Sequence, residues 1–106
     1  MEIYELQENL RAEISDYVRS NLETPETNLN SLGEVDLLGG IPVFPILNHL
    51  TKAYNNTYQR ISQIKGIKFK DLVYDYLREI MQQEGYRVRQ GRYPTDPYTH
   101  IFVKER

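Results

Sequence analysis

Two histidines, His49 and His100, are the only imidazoles in the chain, and it has no cysteine. Histidine is the side chain best suited to general acid–base work near neutral pH. The enzymatic arrangement these residues offer is therefore an RNase-type site, with His100 as general base and Arg87 or Arg89 stabilising the phosphorane. A single histidine on a strand is more often structural, so this reading ranks third. Without cysteine there is no disulfide framework, no thiolate zinc site and no cysteine nucleophile. The sequence holds no HExxH helix, Walker loop, GxSxG elbow or dinucleotide fingerprint. No catalytic residue, metal ligand or cofactor is assigned.

The carboxylates offer little more. Glu34-Val35-Asp36 is locally similar to the acidic strand of metal-dependent nucleases, yet Gly39-Gly40 and a proline-bracketed segment follow it where a Glu/Lys strand would be needed. Asp71, Asp75 and Glu79 form an i, i+4, i+8 row. Oxygen-ligated ions usually gather ligands from a loop or several elements, so a solvated helix face is the plainer reading. Asn55-Asn56-Thr57 has the glycosylation pattern, which matters only in a secreted chain.

Charge is more informative. The net charge of -2 hides a strong asymmetry: residues 1–36 carry nine acids and two bases, whereas 37–70 carry Lys52, Arg60, Lys65, Lys68 and Lys70 and no acid. Residues 71–86 are acidic again, and 87–106 carry five bases against two acids. Basic surface at a helix start and along a hairpin suits phosphate contact. The plainer alternative is a solvated surface whose signs compensate within the fold or between subunits. Nine tyrosines in 106 residues is also a high share. Tyr17, Tyr54, Tyr58 and Tyr76 fall on apolar stripes and read as core, while Tyr74, Tyr93 and Tyr98 read as contact residues.

The elements that must position these groups follow from the apolar spacing. In the N-terminal segment, Ile3, Leu6, Leu10, Ile14, Tyr17, Val18 and Leu22 recur every three or four residues, which predicts an amphipathic helix over 1–22 ended by Thr24-Pro25. Its stripe packs either on the rest of the domain or on a second copy. Residues 23–44 read as a connector, with a short extended piece at 34–38. Asn55-Asn56-Thr57 are poor interior helix residues, so the next stretch is expected to divide into helices at 45–55 and 57–65, the first opened by Pro45. Phe69, Leu72, Val73, Tyr76, Leu77, Ile80 and Met81 predict a helix over 68–84 with Gly85 as its left-handed terminator. Residues 86–104 alternate, break at Gly91 to Pro97 and resume at Ile101, as a two-stranded hairpin would.

The whole is expected to be one mainly helical α+β domain over 1–106: an N-terminal amphipathic helix, three further helices and a C-terminal β-hairpin. The segments TYQRISQIKGIKFKDLVYDYLREIMQQEGYRV and QGRYPTDPYTHIFV, covering a little over half the chain, carry a resemblance to the winged helix-turn-helix superfamily. In that family the second helix of the turn unit enters the DNA major groove and the hairpin wing touches backbone or minor groove. The resemblance implies nucleic-acid contacts at Lys65, Lys68, Lys70, Tyr74, Arg78, Arg87, Arg89 and Arg92. The acidic row then requires the helix to dock with its Lys70, Tyr74 and Arg78 side inward. Dimerisation would fall to Ile3, Leu6, Leu10, Ile14 and Tyr17.

The expected function is a cytoplasmic DNA-binding protein in transcription regulation or an accessory role, acting as a homodimer on double-stranded DNA. The alternative is a protein-binding adaptor or inhibitor whose acidic first third docks on a basic protein partner. The N-terminal residues lack the basic and apolar regions of a signal peptide, and no apolar run approaches the ~20 residues of a membrane span.

Overall fold

The computed structural model describes residues 2–22, 40–90 and 95–104. Expectations for 34–38, Arg92 and Tyr93 fall outside them. The chain is α+β and mainly helical. Its elements run α1 (Ile3–Leu22), β1 (Ile41–Pro42), α2 (Val43–Lys65), α3 (Phe69–Gln83), β2 (Tyr86–Arg89), a 3₁₀ turn (Pro97–Thr99) and β3 (Ile101–Lys104).

α3 is the centre of the packing. Every residue of its expected stripe is buried, from Phe69 to Met81, and Tyr74 is buried with them. α1 lies across α2 and α3 and sinks Leu10, Ile14 and Val18 into the same cluster, with Ile3, Leu6 and Tyr17 packed at its margin. Polar contacts fix this crossing. Arg11 pairs with Glu79 at 2.8 Å and lies 4.7 Å over the Tyr76 ring, Arg19 reaches Glu84 at 3.2 Å, and Gln7 donates to the Tyr76 hydroxyl. Leu10 and Ile14, expected to join two copies, are thus wholly buried inside one chain, while Ile3, Leu6 and Tyr17 are half-buried. A dimer through Leu10 and Ile14 would have to open this core.

The expected break at Asn55-Asn56-Thr57 is absent, and α2 continues through it for 23 residues. Burial overrides propensity here: Leu50 lies before the polar triplet, Tyr58 and Ile61 after it, and all three sit in the core. The helix also starts earlier than Pro45, at Val43. Pro45 falls in the first turn, where backbone N–H groups have no partner within the helix to lose. Val43 N–H is instead satisfied from outside, donating to the His100 carbonyl at 3.0 Å.

A third strand joins the expected hairpin. β1 pairs antiparallel with β3 (Ile41 opposite Phe102, Pro42 opposite Ile101), and β3 pairs with β2, giving the order β1-β3-β2. Pro42 is tolerable because β1 is an edge. Gly40, just before it, lies so close to β3 that an added Cβ would clash with the Ile101 side chain. The wholly buried Phe102 carries the central strand into the helical core.

No helix among the described residues is long and apolar enough to cross a membrane.

Candidate nucleic-acid interface

α2 and α3 are joined by a tight turn, Gly66 to Lys68. Gly66 takes a left-handed conformation (φ 69°), which glycine adopts without the steric cost a Cβ would bring. Its N–H and that of Ile67 both donate to the Ser62 carbonyl, closing α2. The turn is prominent on the surface, since residues 63–68 are all exposed, with Ile64 at 58% and Ile67 at 41%. Lys65 and Lys68 project here, and neither side chain has a hydrogen-bond or ion-pair partner among the described residues.

The remaining expected contact residues divide. Lys70 is half-buried, its ammonium 5.0 Å from the Phe44 ring centroid and 4.7 Å from that of Tyr98. Such a cation held between aromatic faces has a structural partner already. Tyr74, expected as a contact, is 5% exposed, and its ring meets Tyr98 edge-on with centroids 6.0 Å apart. Its hydroxyl is buried with no hydrogen bond of good geometry; burial raises its pKa and the nearby Arg78 guanidinium partly offsets this. Arg78 and Arg87 are exposed, whereas Arg89 is half-buried and partnered within the chain.

Tyr98 is the residue that covers Tyr74. The 3₁₀ turn, capped by the Asp96 side chain on the Tyr98 N–H, sets Tyr98 against the first turns of α3, where its hydroxyl donates to Asp71. Burial and then the Asp71 carboxylate push the Tyr98 pKa up to about 12. A residue read as a free hairpin tip is a clamp between hairpin and helix. The acidic row is likewise put to structural use, since Asp71 holds Tyr98 and Glu79 holds Arg11, leaving Asp75 exposed.

The two histidines lie on separate elements, His49 in α2 and His100 between the 3₁₀ turn and β3, whose Ile101 pairs opposite Arg89. The His49 ring stacks on Tyr17 at 5.3 Å, joining α2 to α1. His100 ends the 3₁₀ turn, its N–H donating to the Pro97 carbonyl and its own carbonyl accepting from Val43. A shallow cavity of about 220 Å³ lies between α1 and α3, beside Arg11, Ser15, Glu79 and Gln83.

The surface that sequence reasoning missed is the outer face of α2. Lys52, Asn56, Gln59, Arg60 and Gln63 are all exposed and recur at three- and four-residue spacing along one side. None of their side chains has a hydrogen-bond or ion-pair partner among the described residues. The signal was available in the absence of any acid between 37 and 70. Dividing the helix at Asn55 hid the face. In comparisons with known proteins, no family model, no curated protein and no solved structure matches the chain.

Proposed function

We propose that this chain is a small nucleic-acid-binding protein, a transcriptional or accessory regulator on a winged-helix-like scaffold, that grips phosphates through the α2–α3 turn and the hairpin. The observation that carries the reading is the turn itself. Two helices joined by three residues with a left-handed glycine, followed directly by a hairpin, form the unit whose relatives dock on duplexes, and Lys65 and Lys68 stand on it exposed and unpaired among the described residues. Arg87 adds an exposed base on the hairpin, and Arg92 belongs to the same sequence segment. Lys70 and Tyr74 leave the contact set because they are committed to the Phe44–Tyr98 cluster.

The test is fluorescence anisotropy with a labelled random-sequence duplex and a labelled single strand, from about 50 to about 200 mM salt. Binding should weaken steeply with salt, and Lys65→Ala/Lys68→Ala should flatten the log–log slope by about two, one for each phosphate contact removed. Flat anisotropy at the lowest salt sinks the proposal.

One observation favours a second reading. Both bases of α1 are paired, Arg11 to Glu79 of α3 and Arg19 to Glu84 at its C-terminal cap, and Glu2, Glu5, Glu8 and Asp16 are exposed on α1 or just before it. A basic protein partner would meet a surface with more acids than bases there. That reading predicts that Glu5→Lys/Glu8→Lys/Asp16→Lys abolishes partner binding while leaving nucleic-acid affinity undiminished.

A further inference from the structure

We infer that α2, rather than α3, is the helix that reads DNA, through Lys52, Asn56, Gln59, Arg60 and Gln63 in the major groove. This rests on the nucleic-acid reading above and assigns to it the element that distinguishes one sequence from another.

Three observations converge. The first is chemical. Arginine and lysine pair with guanine O6 and N7, and asparagine and glutamine pair with adenine N6 and N7. These five side chains are exposed on one face and have no partner among the described residues. Ala53 and Thr57, also exposed on that side, are small enough for close approach and carry methyl groups suited to the thymine methyl.

The second is electrostatic. α2 contains no acid, so the charge it exposes, at Lys52, Arg60 and Lys65, is wholly positive. The duplex is a polyanion and complements it. α3 offers the opposite: its exposed strip holds Asp71, Asp75, Arg78 and Gln82, and the rest of it is largely in the core.

The third is a cost without a structural return. Asn56 and Thr57 are poor helix formers in the middle of a 23-residue helix, and both are exposed, so packing does not require them. Local choices that oppose the fold concentrate where a protein meets its partner. From Lys52 to Gln63 the face is about 17 Å long at 1.5 Å per residue, enough for three or four side chains to reach base edges. B-form duplex is the matching ligand, because the major groove of A-form RNA is too deep and narrow for side chains to read.

The experiment is selection of binding sites from a random-sequence DNA duplex library by the full chain, with a random A-form RNA duplex as a parallel probe. The wild-type protein should enrich a motif of about three to five base pairs. Asn56→Ala/Gln59→Ala/Gln63→Ala should flatten that motif, with about 5- to 150-fold lost per reading contact on the best site, while retaining salt-dependent affinity for random duplex. Arg78→Ala/Gln82→Ala on α3 should leave the motif unchanged. Alanine favours helix at all three α2 positions, so a circular dichroism melt at or above the wild-type midpoint excludes misfolding as the cause. An unchanged motif in the triple variant, a motif lost in the α3 variant, or preference for the RNA duplex overturns the assignment to α2 and leaves the nucleic-acid reading standing. Enrichment of no motif by a wild-type protein that binds random duplex also overturns it. No binding to any probe at about 50 mM salt removes the nucleic-acid reading beneath it.

Discussion

α2 and α3 are adjacent helices on either side of one three-residue turn, yet they are used in opposite ways. α3 is enclosed: eight of its fifteen residues are buried, and its outward acids reach sideways to Arg11 on α1 and to Tyr98 on the hairpin connection. α2 buries six of 23 residues and leaves one long side free of acids and free of partners among the described residues. A helix hemmed in on several sides has few side chains left for a ligand, so the helix nearer the middle of the fold makes the poorer reader. Resemblance in element order therefore does not transfer the role of reading helix from one position to the other.

The contrast can be broken most directly at α3. Leu77→Ala, at a wholly buried site, should cost about 2–5 kcal/mol in urea denaturation, whereas Gln63→Ala on the open side of α2 should stay within about 0.5 kcal/mol. Equal costs would show that the two helices share the packing. On the ligand side, Lys52→Ala/Arg60→Ala should lower random-duplex affinity and reduce the salt slope by about two. Asp75→Ala on α3 should change neither, and a steep gain in affinity from that change would mean that α3 faces the duplex.

Smaller effects sharpen the same picture. The Arg11–Glu79 pair is partly exposed (side chains 39% and 45%), so Arg11→Ala should cost about 0.2–1 kcal/mol, together with its contact on the Tyr76 ring. A wild-type-like urea midpoint would make that pair irrelevant to how α1 is held. Tyr98 is raised from an ordinary value near 10 to about 12 by burial and then by Asp71. The protonated phenol is favoured in the folded chain, so its contribution is complete below about pH 10 and is lost as the pH climbs through about 12. Spectrophotometric titration of Tyr98→Phe should show one fewer late-ionising tyrosine; an unchanged count would mean that Asp71 does not hold the hydroxyl. Least of all, Asn56→Ala should stabilise the chain by a few tenths of a kcal/mol, up to about 0.7. A loss of stability on thermal melting would give Asn56 a structural task.

The parts legible in the sequence were those governed by a local period. The stripe from Phe69 to Met81 is long, apolar and closed by Gly85, which is left-handed at φ 90°, and the alternation at Tyr86 to Arg89 with its return at Ile101 gives β2 and β3. The parts that were not legible depend on distant partners. β1 has two residues, one a proline, and exists because β3 lies beside it. Tyr74 looked free on its own helix and is covered by a tyrosine 24 positions later in the chain. At Asn55-Asn56-Thr57 the core residues on both sides outweigh a real local preference against helix, and propensity alone splits the face on which the proposed contacts lie. Lys65, Lys68, Arg78 and Arg87 could be placed on the surface from sequence because short stretches of turn, helix and strand set their exposure.

The hydrogen bond from Val43 to His100 sets an order on synthesis. Residues 41–43 emerge from the ribosome long before 100–104, so the edge strand and the opening turn of α2 must wait, unpaired, for β3 to be translated. The buried position of Phe102 waits with them. A chain stalled or cleaved before residue 100 would retain most of its helical sequence with an open start to its longest helix and a hole in its core.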